Sequence, residues 1–263
     1  MKTELNNLAL FLSGENKNKS IIFVHGFPFD HYMWDEQVEE LSKDFYCIAF
    51  DIRGLGESTA GDGQFTIESF VDDLENIIDG LELKKPVLCG LSMGGYISLR
   101  AVERMENKFS AVILCDTKSL PDNDEGKIKR ADGVKMINNK GIEDFVNQFV
   151  PNCFSERFIR EHKPEYERVL SRSKNSNAIG VKGCLLAMAA RTDTSSYLSK
   201  ISIPTLIICG TEDKLTPLEV MKSMAAKIKN SKYISVEGAG HMTPVEKPGI
   251  VNKAIKEFLK TDN

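Results

Sequence analysis

The sequence predicts an α/β protein: a mostly parallel sheet with helices on its faces and one helical insertion. Three observations carry this. Short apolar runs at residues 20–24, 45–50, 86–89, 111–115 and 204–209 are rich in β-branched residues and do not alternate with polar ones, as expected of strands covered on both faces. Segments between them place apolar residues at helical spacing. The alternation then stops between 118 and 199, where no convincing strand appears. Alternating strand and helix builds a parallel sheet through right-handed crossovers.

Taken in order, residues 8–12 read as an N-terminal edge strand, and 232–236 as a weaker strand after 204–209. The helix over 67–81 shows one stripe, Ile67, Phe70, Val71, Leu74, Ile77, Ile78 and Leu81. Residues 93–105, 217–228 and 244–259 follow the same spacing, with Pro217 in a first turn, where its missing N–H costs nothing. The interruption reads as helices over 124–139, 142–150, 155–171 and 178–190. The expected organisation is a core of 1–117 and 200–263 with a helical cap at 118–199. The cap carries 14 basic and 11 acidic residues, net +3, which leaves 20 against 27, net −7, for the rest.

Composition bounds the function. The chain has 263 residues, 41% hydrophobic and 27% charged, a globular make-up that excludes disorder. With 34 basic and 38 acidic residues, net −4, it lacks the basic footprint of a nucleic-acid partner. No apolar run approaches the ~20 residues of a membrane span. The N-terminal apolar patch is too short for a secretory signal and carries Glu4 early. The expected location is therefore cytoplasmic. None of the six cysteines forms a C-x-x-C pair, so buried, reduced thiols are expected rather than disulfides or zinc ligands.

The chemistry centres on Gly90-Leu-Ser92-Met-Gly94, a G-x-S-x-G placed between a buried strand and a helix. A hydroxyl at the tip of such a turn is exposed on a strained backbone, and its flanking glycines let strand and helix approach. The helix N-terminus aims N–H groups and partial positive charge at the same point. A serine hydroxyl needs a base to become a nucleophile. Of the four histidines, His241 lies in a glycine-flanked loop after the last strand. His162 sits among charges as a surface residue, His31 could line a pocket, and His25 reads as a structural brace. The base in turn needs an acid. Asp213 follows the 204–209 strand. Glu212 beside it and Asp116 after the 111–115 strand are the other candidates. An oxyanion would find one donor in the Met93 N–H and a second in the Phe27 N–H of His25-Gly26-Phe27-Pro28.

These motifs, with Asp51-x-Arg53-Gly54-x-Gly56-x-Ser58, Gly210-x-x-Asp213 and Gly240-His241, resemble the α/β-hydrolase family over essentially the whole chain. The resemblance implies an eight-stranded sheet with an antiparallel edge and a helical cap. It also implies Ser92 as nucleophile, Asp213 as acid, His241 as base, and the N–H groups of Phe27 and Met93 as oxyanion hole. Asp51 and Arg53 look like the family's structural turn. The subfamily signal is similar to small carboxylesterases and 3-oxoadipate enol-lactonases. The expected function is hydrolysis of a small-molecule carboxylic ester through an acyl-enzyme, with no cofactor and no metal. The pocket is expected between sheet edge and cap, lined by Phe27, Phe29, Met33, Trp34 and Met93, with Met33 and Trp34 equally readable as core. The alternatives are an enol-lactonase or thioesterase with the same triad, a cofactor-free perhydrolase, and a non-catalytic small-molecule receptor. Acyl preference and oligomeric state are not encoded in any motif.

Overall fold

The structure is a computed structural model that describes residues 1–260; positions 261–263 of the expected 200–263 core range lie outside the described residues. Eight strands form one sheet: β1 (Lys2–Leu5), β2 (Leu8–Ser13), β3 (Ser20–Val24), β4 (Tyr46–Phe50), β5 (Val87–Leu91), β6 (Ala111–Cys115), β7 (Thr205–Gly210) and β8 (Ser231–Val236). Their order is β1-β2-β4-β3-β5-β6-β7-β8. β1 and β2 pair antiparallel, as do β2 and β4, and every other pair is parallel. The inner strands β3, β5, β6 and β7 are buried at every residue, which is why their sequences show apolar runs without alternation.

The edge differs from the sequence expectation. β2 is not the edge strand, because β1 lies outside it. β1 reads Lys-Thr-Glu-Leu and alternates exposed with half-buried residues, a charged pattern that protects a sheet edge from pairing with another chain. Asn6 and Asn7, both at positive φ, turn β1 into β2.

Helices α1 (Asp35–Leu41), α2 (Ile67–Gly80), α3 (Met93–Met105), α9 (Leu218–Ala225), α10 (Thr243–Glu246) and α11 (Pro248–Lys260) flank the sheet. α2 buries Ile67, Phe70, Val71, Leu74, Ile77 and Ile78, the stripe its spacing predicts. Between β6 and β7 the chain runs through α4 (Asp124–Lys140), α5 (Ile142–Phe149), α6 (Glu156–Glu161), α7 (Lys163–Lys174) and α8 (Ala178–Ala189). Two expected helices are each broken by a proline. Residues 155–171 divide at His162, ahead of Pro164, and 244–259 divide at Lys247, ahead of Pro248. Pro248 disfavours helical geometry in Lys247 before it, and Pro164 has no N–H to bond the Arg160 carbonyl four residues back.

Because the parallel strands run the same way, the loops after β3, β5, β6, β7 and β8 collect at one edge, where β3 and β5 diverge from the reversal of strand order. The insertion lies across that edge. Phe145 and Phe149 of α5 pack on Phe27. Arg172 of α7 bonds Asp30. Gly180 of α8 meets the β4 loop so closely that a Cβ on it would stand 1.7 Å from the Gly54 carbonyl oxygen. All six cysteines are buried and free. Among the described residues no helix is long and apolar enough to cross a membrane.

Candidate active site

β5 delivers Ser92 to the edge, and α3 begins at the next residue. Ser92 has φ 54° and ψ −113°, a conformation that costs a non-glycine residue of order 1–3 kcal/mol and persists only when its surroundings enforce it. Here they do. The Ser92 N–H donates to the Cys115 carbonyl at 3.0 Å, and the Ser92 carbonyl accepts from Tyr96 N–H at 3.0 Å and Thr117 Oγ1 at 2.8 Å. The turn also needs its glycines. A Cβ at Gly90 would lie 2.4 Å from the Gly94 carbonyl oxygen, and one at Gly94 would lie 2.1 Å from that of Val24. Ser92 is half-buried, and its Oγ bonds no described residue.

β8 and the loop after it carry His241, which is buried. Its Nδ1 lies 2.8 Å from Asp213 Oδ2. An ionised carboxylate only accepts, so Nδ1 carries a proton, and in the neutral imidazole Nε2 keeps the lone pair. Nε2 bonds no described residue. Asp213 is fully engaged. Oδ1 accepts from the N–H groups of Leu215 (2.8 Å) and Thr216 (3.0 Å), and Oδ2 accepts from Thr216 Oγ1 (2.5 Å) as well as from His241. Burial pushes this carboxyl up, but the charge and hydrogen bond of His241 and the Thr216 donors outweigh it and hold Asp213 below the ordinary aspartate value. The structure thus brings His241 and Asp213 into contact and sets Ser92 at the same sheet edge, without a Ser92–His241 hydrogen bond.

The N–H groups of Phe27 and Met93 have no acceptor among the described residues, although both residues are buried. Buried N–H groups are almost always paired, and Phe27 lacks even the excuse of a helix start.

The other candidates take structural places. His25 Nε2 accepts from Ile52 N–H at 2.9 Å, so its Nδ1 donates to the Gly26 carbonyl. Burial lowers its pKa, and it braces the loop as expected. His31 bonds Asp51 and stacks on Phe11, which removes it from pocket lining. Exposed His162 stacks on Phe158. Arg53 pairs with buried Asp73, and Asp51 gathers the N–H groups of His31 and Glu57, a structural turn. The Glu212 side chain makes no hydrogen bond or ion pair with His241. Trp34 is wholly buried against Phe23 and belongs to the core. Phe29 and Met33 line a cavity of about 20 Å³ with Tyr32 and Arg172, about room for one water, and Ser92 is not among its walls.

A family model for the alpha/beta hydrolase fold matches residues 19–248. The chain belongs to this family. Among its relatives, the 3-oxoadipate enol-lactonase 1 of Acinetobacter baylyi is 26% identical over 97% of this chain and 93% of its own. A non-heme chloroperoxidase of Kitasatospora aureofaciens is 27% identical over 98% of both chains. A thermophilic esterase from Thermogutta terrifontis, solved with malate bound, is 34% identical and superposes with a TM-score of 0.93 over 97% of this chain and 93% of its own.

In this α/β hydrolase several residues that support the site escape sequence reasoning. Thr216 follows Asp213 at three residues, a spacing at which a side-chain oxygen commonly takes a backbone N–H, so that signal was available. Thr117 and Cys153 gave none. The carbonyl of Cys153, in the insertion, accepts the His241 N–H at 3.0 Å. Buried Glu246 takes the N–H of Gly240 at 3.0 Å and the hydroxyl of Ser155 at 2.5 Å. Asp116, Cys209 and Asp213 have donor atoms within 4.8 Å of one another. Both carboxylates are already occupied by protein donors, and burial pushes the Cys209 thiol far up, away from the thiolate a metal would need. The trio does not read as a metal centre.

Proposed function

We propose that this protein is a serine hydrolase that cleaves a carboxylic ester of a small molecule through an acyl-enzyme. The observation that carries the reading is the His241 Nδ1–Asp213 bond of 2.8 Å, which leaves Nε2 as a free base at the edge that bears a strained Ser92. Ser92 Oγ attacks the carbonyl carbon while His241 Nε2 takes its proton. The carbonyl oxygen becomes an oxyanion between the unpaired N–H groups of Phe27 and Met93, each of which is worth ~10²–10³ in rate at such a position. His241 then protonates the leaving alcohol, and a water deprotonated by the same nitrogen releases the acid. Asp213 stabilises the imidazolium. Every proton transfer falls to a side chain of this chain, so no cofactor is called on. In this reading 118–199 acts as a cap over a core formed by 1–117 and 200–263.

Lactone hydrolysis is the second reading, favoured by the enol-lactonase relative. It uses the same steps, with the leaving oxygen still tethered to the acyl group. Ser92→Ala is expected to lower kcat on a short-chain p-nitrophenyl ester by ~10⁴ or more. Near-wild-type turnover in that variant would overturn the reading. A panel of p-nitrophenyl esters of rising length, run beside lactones and acyl thioesters, separates the two readings. Peroxide-dependent halogenation without esterase activity would instead favour the perhydrolase. Failure of an organophosphonate to label Ser92 would favour a receptor.

A further inference from the structure

We propose that Lys118, Arg130, Arg191 and Tyr96 form a carboxylate-binding subsite beside Ser92, so that the preferred ester or lactone carries an anionic group. The proposal rests on the hydrolase reading above and specifies its substrate class.

The residues converge on Asp122 where the chain enters and leaves the insertion. Asp122 accepts from Arg191 Nη2 at 3.0 Å and Arg130 Nε at 3.0 Å, with Lys118 Nζ at 3.4 Å. Arg191 also donates to the carbonyls of Met188 (2.8 Å) and Leu120 (2.9 Å). A cluster that only fastened the insertion would balance its charges. This one sets three cations against one carboxylate, and the side chains of Asp122 and Arg191 are just 4% and 3% exposed. Burial, reinforced by the neighbouring arginines, lowers the Lys118 pKa, the mark of an ammonium short of counter-charge.

The cluster also holds unused donors. Arg191 Nε is buried without a partner. Arg130 commits only its Nε, so both Nη groups of its fork bond no described residue. The phenol of Tyr96 bonds none either, and burial raises its pKa, which keeps it a donor. A guanidinium fork binds the two oxygens of a carboxylate in parallel.

Proximity to the nucleophile follows from three links. Lys118 is the next residue after Thr117, whose hydroxyl holds the Ser92 carbonyl. Tyr96 lies in the first turn of α3 and donates its N–H to the same carbonyl. The Arg191 guanidinium carbon stands 4.2 Å from the centre of the Tyr96 ring. These links set the cluster beside the turn that carries Ser92, so a substrate bearing both an ester and a carboxylate would span the two.

The test compares monoethyl succinate with ethyl butyrate, which differ by a carboxylate in place of a methyl group. Wild type is expected to favour the succinate ester at least tenfold in kcat/KM, with the preference shrinking as salt screens it. Arg130→Gln, and independently Lys118→Met, should reduce that preference at least tenfold. Arg160→Gln, on the exposed face of α6, should keep it. A wild-type preference for ethyl butyrate, or an unchanged ratio in both variants, overturns the subsite. Binding is read separately by calorimetry of succinate on Ser92→Ala, expected to weaken at least tenfold with Arg130→Gln. Succinate binding without turnover of either ester would count against the hydrolase reading but for the subsite. Turnover of ethyl butyrate without succinate binding would count the opposite way.

Discussion

Two aspartates stand at the ends of neighbouring strands, Asp116 after β6 and Asp213 after β7, and both are buried. Asp213 collects three donors and the imidazole of His241, and it is held below its ordinary pKa. Asp116 collects two, the Gly210 N–H at 2.9 Å and Thr243 Oγ1 at 2.5 Å. Burial, and after it the charge of Asp213, pushes the Asp116 carboxyl well up. Position on the sheet therefore does not decide the direction of the shift; the donor set does. A second charge beside Asp213 would oppose the first, and this repulsion is part of what raises the Asp116 carboxyl. Asp116 instead ties the end of β7 to the residue two places past His241, with its own backbone at φ 44°.

The comparison is broken most directly by exchanging each acid for its amide. Asp213→Asn is expected to lower kcat by ~10⁴, because an amide favours the wrong imidazole tautomer and cannot stabilise the imidazolium. Asp116→Asn should cost no more than about tenfold. Ester hydrolysis by the two variants, assayed side by side, checks this, and the reverse order would make Asp116 the acid. The hydroxyls sharpen it. Thr216→Val removes a donor from a carboxyl of depressed pKa and is expected to cost about 1.5–3 kcal/mol, against about 1 kcal/mol for Thr243→Val, which serves one of raised pKa. Urea denaturation of both variants measures the difference.

Acidity separates the pair more gently. The folded pKa of Asp213 is depressed, so its contribution to stability is present above the ordinary aspartate range and is lost as pH falls through the folded value. The folded pKa of Asp116 is raised, so the sign reverses: its contribution is full below the ordinary range and declines as pH rises towards the folded value. Relative to wild type, Asp116→Asn should gain stability as pH rises above the ordinary aspartate value of about 4, whereas the deficit of Asp213→Asn should stay constant there and shrink only as pH falls below it, in denaturation midpoints taken across both ranges.

The same pair shows what the sequence could and could not disclose. Ser92 and its elbow were legible because the local pattern and the local geometry are the same thing, a short motif between a buried strand and a helix. The choice of acid rests on the family resemblance rather than on local pattern, since Asp116 and Asp213 both follow buried strands, and the donors that distinguish them include Thr243, 127 residues from Asp116. In the fold, the inner strands announced themselves by unbroken apolarity, whereas β1 did not. Its charges hide it, although two asparagines between paired Leu5 and Leu8 suit a two-residue hairpin turn with positive φ at both centres. α1 escaped because Asp-Glu-Gln-Val-Glu-Glu-Leu offers only two apolar residues to a stripe. Trp34 was ambiguous between core and pocket, and that choice depends on tertiary packing.

The backbone of His241 is bonded to the Cys153 carbonyl, and Ser155 and Gly240 share Glu246. The helical segment is thus an anchor for the loop that carries His241. Anyone who grafts a foreign segment between β6 and β7 should carry residues 153–155 across unchanged, because trimming them unfastens that loop and the imidazole–Asp213 bond it presents.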